Sequence, residues 1–228
     1  MRNTFTTFSV LLLAGVVSIL AQTQRKATTT SVSSSLNPSP FGQLLTFTAK
    51  VSGNGGSPTG SVKFTDGDKT IGGGTLDGSG LAHLSIPWIP SGIHPVTAIY
   101  EGDKRFATSR SSTMRQVIKR APTYVALTSS QEQSAEGQTV TFRATVSSPA
   151  ATPTGAIEFK DRAKSLGTVP LNEFLQATLS TAKLSSGIHM VTAAYSGNED
   201  FEMSHSKVLK QSVGQLGGSA GGNHLVRK

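Results

Sequence analysis

From Thr28 onward, apolar and polar side chains alternate with a period of two, in runs broken by Gly, Pro, Asn and Asp. Leu45, Phe47, Ala49 and Val51 share one face of an expected strand, and Val62 and Phe64 share a face of the next. Ala82, Leu84 and Ile86 form another such face; Val96, Ala98 and Tyr100 fill the penultimate strand. Alternation of this kind buries one side of a sheet and leaves the other to solvent. No stretch beyond the N-terminus places apolar residues at helical spacing, so essentially no helix is expected.

The pattern is written twice. Gly42 to Val51 matches Gly137 to Val146, Pro58 to Phe64 matches Pro153 to Phe159, and Ser91 to Tyr100 matches Ser186 to Tyr195, always 95 positions apart. Without gaps, 35 of the 91 positions from Thr28 to Ile118 are identical in the second copy. The inward set recurs as Val140, Phe142, Ala144 and Val146, then Ile157 and Phe159, Ala177 and Leu179, and Val191, Ala193 and Tyr195. Pro-Thr-Gly before the third strand and Tyr-x-Gly after the sixth are turn signals. About seven short strands per copy is the pattern of a Greek-key β-sandwich. The expected organisation is two tandem all-β domains, 28–118 and 123–213, joined by a short linker, 119–122.

Outside the repeat, residues 1–21 read as a signal peptide, with Arg2 ahead of the apolar run Phe8 to Leu20 and Ala21 near the cut. That run falls short of the ~20 residues that span a bilayer, so cleavage is expected rather than a lasting transmembrane anchor. Residues 22–27 are an N-terminal extension, and the Gly-rich tail 214–228 is expected to be disordered. The expected location is therefore secreted or cell-surface. Cysteine is absent. Small exported domains often lean on disulfides, so these must be held by burial alone.

Pro-Thr-Gly-x-Val-x-Phe-x-Asp (58–66), followed by Ser-Gly-x-His-x-Val-Thr-Ala-x-Tyr-x-Gly-Asp-x-x-Phe (91–106), resembles the bacterial Ig-like repeat domains of group 3. The resemblance runs over both copies and implies immunoglobulin-like sandwiches. Such domains occur in exported bacterial proteins as stalks, adhesin segments and accessory modules beside enzymes. The family shares no catalytic residue.

The residues themselves offer no nucleophile–base pair and no metal motif among His83, His94, His189, His205 and His224, so no enzyme activity and no cofactor is expected. His94 and His189 recur at one repeat position and read as structural histidines serving local backbone groups. Asp66 and Asp161 read as Asx-turn formers. Gly102-Asp103 and Gly197 to Asp200 read as hairpin turns rather than calcium sites, and Gly72 to Gly74 as a bend between edge strands. The net charge is +8. Six cations, Lys104, Arg105, Arg110, Arg115, Lys119 and Arg120, form a stripe with no acid between them. Without stacking aromatics the stripe does not indicate nucleic-acid binding. Anionic envelope polymers, or simple solubility and edge protection, fit it better.

The copies differ at one loop. Ile86-Pro87-Trp88-Ile89-Pro90 in the first is Thr181-Ala182-Lys183-Leu184-Ser185 in the second. This loop lies at the C-terminal end of its domain, facing the next domain. Trp88 and Ile89 are therefore expected to pack against domain two near Pro149 to Pro153 and the 197–200 turn, with Lys119 and Arg120 close to Glu199 and Asp200. The rival reading makes Trp88 an exposed platform for sugars. The overall expectation is a structural or adhesive spacer at the cell surface, or alternatively a carbohydrate-binding accessory module. Its partners would be surface glycans, envelope polymers or other surface proteins.

Overall fold

The computed structural model describes residues 24–214. The expected signal peptide, most of the Gly-rich tail and His224 lie outside the described residues.

Domain one contains β1 (Thr28–Ser34), β2 (Ser39–Pro40), β3 (Leu45–Gly53), β4 (Ser61–Asp66), β5 (Lys69–Thr75), β6 (Leu81–Ile86), β7 (Gly92–Tyr100), β8 (Ser109–Arg110) and β9 (Met114–Lys119). Domain two repeats them as β10 (Tyr124–Ser129), β11 (Gln133–Ser134), β12 (Val140–Ser147), β13 (Ala156–Asp161), β14 (Lys164–Pro170), β15 (Gln176–Thr181), β16 (Gly187–Tyr195), β17 (Ser204–His205) and β18 (Leu209–Val213). Each domain is a three-stranded sheet, β1-β3-β6 or β10-β12-β15, facing a six-stranded one, β2-β9-β7-β4-β5 with β8 on β7, or β11-β18-β16-β13-β14 with β17 on β16. The chain is thus all-β over the described residues, two immunoglobulin-like sandwiches in tandem.

The alternating positions supply the cores. Phe47, Ala49, Phe64, Val96, Ala98 and Tyr100 are fully buried, as are Phe142, Ala144, Phe159, Val191 and Ala193. Burying an aromatic or branched side chain contributes roughly 1.5–3 kcal/mol, so faces built this way can replace the missing disulfides. Tyr100 and Tyr195 also anchor their turns, each hydroxyl donating to a carbonyl, Thr59 or Thr154, at 2.7 Å.

Two details depart from the sequence expectation. The first strand of each domain divides. β1 pairs antiparallel with β3, and the chain then crosses so that β2 pairs parallel with β9. Asn37 bridges this crossing by donating to the Arg115 carbonyl and accepting from the Val117 amide. Second, Gly72 to Gly74 form not a bend but the middle of β5, with a bulge opposite Phe64 and Thr65. A Cβ on Gly74 would lie 2.7 Å from the His83 carbonyl oxygen of β6. The glycines let the two sheets approach backbone to backbone along this edge.

Candidate functional site at the domain junction

The chain passes from β9 into domain two with little slack. Lys119 is the last residue of β9. Ala121 is already bridged to Phe201, its amide donating to the Asp200 carbonyl and its carbonyl accepting from the Glu202 amide. Only Arg120 separates the two hydrogen-bonded frameworks. Lys26 makes the corresponding bridge to Phe106 in domain one, but there it is exposed, whereas Ala121 is fully buried.

Phe41, in the turn after β2, fills the space between the domains. Its ring meets Phe201 edge-on, with centroids 5.5 Å apart, and it packs against the cores of both domains. Gly42 follows so closely that a Cβ there would fall 2.6 Å from the Ala150 carbonyl oxygen. The Ser91 amide donates to Asp200 Oδ1 at 2.7 Å, and Arg120 Nε donates to the Glu199 carbonyl at 3.2 Å.

The junction therefore uses the loops expected from the sequence, but with a different central residue. Trp88 stands on Phe41, with centroids 6.0 Å apart, and remains 61% exposed. Ile89 packs on the core of its own domain. Neither packs on the core of domain two, because the Pro40-Phe41-Gly42 turn occupies that position. Nor do the expected charge pairs form: Lys119, Arg120, Glu199 and Asp200 take part in no ion pair among the described residues, and Glu199 and Asp200 act through a carbonyl and an amide contact instead. Phe41 was missed, although the repeat held a signal for it: its counterpart is Glu136.

The recurring histidines and aspartates find each other. His94 Nδ1 lies 2.7 Å from Asp66 Oδ2 and its Nε2 3.0 Å from the Pro90 carbonyl. His189 repeats this with Asp161 at 2.7 Å and Ser185 at 2.8 Å. The aspartates therefore tie the ends of β4 and β13 to histidines on β7 and β16, which reach on to the preceding loops, rather than closing Asx turns. Asp103 and Asn198 do close such turns, each accepting two backbone amides of its own loop.

The copies differ in the second carboxylate oxygen. Asp161 Oδ1 accepts from the Met190 amide at 3.0 Å and lies 3.8 Å from Arg162. At the matching positions domain one has Pro95, which has no N–H, and Gly67, which has no side chain. Asp66 Oδ1 thus has no protein donor among the described residues. Asp66 lines a cleft of about 270 Å³ shared with Lys69, Thr70, Trp88, Ile89 and His94.

The six cations do not converge. Lys104 and Arg105 occupy the β7–β8 loop at the end of domain one away from the junction, where Arg105 lies over the Phe106 ring. Arg110, Arg115 and Lys119 follow one another along the outside of β8 and β9, opposite buried Ser111, Gln116 and Ile118. All six are exposed and none is in an ion pair among the described residues. No group of three or more His, Cys, Asp or Glu at metal-binding distance occurs among those residues.

The model of the bacterial Ig-like domain (group 3) matches the chain twice, over residues 14–119 and 127–214. The chain belongs to this family. No curated protein matches it significantly. Similar solved structures include the fibronectin(III)-like modules of Clostridium thermocellum CbhA, at 16% identity over 87% of this chain and 100% of that chain, with a TM-score of 0.35. The Yersinia pseudotuberculosis adhesin InvE is 14% identical over 80% of this chain and 58% of that chain, with a TM-score of 0.36. The D0–D1 domain of Intimin is 15% identical over 81% and 97%, with a TM-score of 0.30. Among the described residues of this bacterial Ig-like pair, no helix is long and apolar enough to cross a membrane.

Proposed function

We propose that the protein is an exported, non-enzymatic spacer that holds an interaction surface at a set distance and orientation outside a bacterial cell. The carrying observation is the junction. One residue separates the two backbone hydrogen-bond networks, and Phe41, Gly42, Ala121 and Phe201 close the space between them. A linker this short leaves little room for reorientation. Membership in the bacterial Ig-like family and the apolar run Phe8 to Leu20 support export.

The absence of cysteine permits a clean test. Cysteines placed at exposed Lys50 and Lys207, carrying spin labels, should give a single narrow distance distribution in the full chain. A broad distribution would overturn the spacer reading. Protease treatment of intact cells should remove the protein, and protection from it would overturn the export reading.

A second reading, a carbohydrate-binding accessory module, is favoured by Trp88, the only tryptophan, which keeps most of its surface in solvent although an apolar junction lies beside it. The exposed cations support contact with anionic envelope polymers only as a diffuse, salt-sensitive attraction.

A further inference from the structure

We propose that the cleft between Trp88 and the β4–β5 turn binds one ring of a neutral oligosaccharide, with the indole as stacking platform and Asp66 Oδ1 as hydroxyl acceptor. This deepens the accessory-module reading and rests on it.

Three observations converge on the cleft. Phe41 props Trp88 from one side, and the indole remains 61% exposed. An aromatic ring held this way presents a rigid apolar face at low entropic cost. Next, Asp66 Oδ2 is bound to His94, which fixes the carboxylate, while Oδ1 lacks both the amide donor and the neighbouring guanidinium that its counterpart keeps. A partly buried acceptor without a donor gains from a ligand hydroxyl. Finally, the cleft floor is apolar, with Ile71, Ile86 and Val96, and Lys69 and Thr70 stand at its side.

Domain two shows the same frame closed. Lys183 replaces Trp88, and Leu184 is 7% exposed and joins the core at the position of Ile89. Met190 and Arg162 occupy the carboxylate. All the changes that open the cleft fall in one copy and at one place.

The chemistry of the cleft points to the class of ligand. The cleft carries one carboxylate, Asp66, one ammonium, Lys69, and the His94 imidazole already bound to Asp66, a set without the clustered cations that would select an anion. A flat indole favours a ring whose axial C–H bonds share a face, as in β-linked glucose or N-acetylglucosamine chains.

The full chain should be titrated with cellohexaose, chitohexaose, xylohexaose and mannohexaose while the Trp88 emission is followed. Cellohexaose or chitohexaose should shift and saturate that emission. In calorimetry Trp88→Lys should weaken binding roughly tenfold or more. Pro95→Met, which restores the amide found in domain two, should weaken it about three- to tenfold without altering the unbound emission. Binding by none of the four glycans overturns both the site and the accessory-module reading. Binding that survives Trp88→Lys within twofold overturns the site alone, and an unchanged affinity in Pro95→Met overturns the role of Asp66.

Discussion

The C-terminal ends of the two domains share a backbone plan, and among the described residues that of domain one packs against the other domain. At the end of domain one stand Phe41 and Trp88, where domain two has Glu136 and Lys183. Gly42 and Gly137 both need the left-handed region, at φ 81 and φ 78. Among the described residues, of these two only Gly42 has a neighbour within contact range of its missing Cβ, the Ala150 carbonyl of domain two. The turn was present in the common plan, and domain one put it to a second use. Identities between the copies therefore report the sandwich, and the differences report what each end faces.

Exchanging residues between the copies tests this directly. The largest effect is expected from Ala121→Lys, which gives domain two the residue of domain one. Ala121 is fully buried, so the substitution pushes an ammonium group into a closed site. It should destabilise the protein by about 3 kcal/mol or more in urea unfolding. The reciprocal Lys26→Ala acts on an exposed residue and should stay within about 0.5 kcal/mol. Equal effects would show that the junction does not bury Ala121.

Phe41→Glu, the residue of domain two, should come next. Losing an aromatic packed against two cores should cost about 2–3 kcal/mol, below the full cost of a core phenylalanine because Phe41 is only half-buried. It should also broaden the spin-label distance distribution. A loss of stability with an unchanged distribution would place Phe41 in domain one only.

The fold was legible from period-two alternation because burial of one face is a local demand that each strand repeats. Leu45, Phe47, Ala49 and Val51 are all buried as the pattern requires. The junction was legible only in part. Trp88 stood out by size and rarity, yet which of two neighbouring turns reaches across depends on backbone geometry that no local pattern encodes. Phe41 sits between Pro40 and Gly42 with no alternation around it. The His–Asp pairs were hidden for a similar reason: their partners are 28 residues apart and meet only once β4 and β7 are side by side. Gly72 to Gly74 misled because three glycines read locally as a bend, while the actual demand is the approach of β6.

That approach gives a smaller test. Gly74→Val, again the residue of domain two, places side-chain atoms against the His83 carbonyl and should cost roughly 1–3 kcal/mol. Val169→Gly removes a side chain packed against the core of domain two and adds chain entropy, and should cost roughly 1–3 kcal/mol. If both changes are neutral, the closer sheet edge of domain one has no energetic weight.

The smallest expected effect is the pH dependence of the His189–Asp161 pair. Burial alone would lower the His189 pKa, but the Ser185 carbonyl and the Asp161 carboxylate both favour the proton and the pKa ends above its ordinary value. The Ser185 carbonyl can only accept, which assigns a proton to Nε2. The Asp161 carboxyl is held in its ionised form, so Oδ2 can only accept, which assigns the second proton to Nδ1. Burial likewise pushes the Asp161 pKa up, but donation from His189 and Met190 outweighs it and the carboxyl is held below its usual range. A raised histidine stabilises fully below its unfolded pKa of about 6.5 and loses that contribution as pH rises through the folded value. A lowered aspartate stabilises above its unfolded pKa of about 3.9 and loses that contribution as pH falls through the folded value. The pair therefore contributes most between those limits. The urea midpoint of the wild type should fall as pH climbs from the histidine range into mild alkali. His189→Gln should remove that part of the slope, and an identical slope in the variant would show that the histidine carries no extra proton in the folded state.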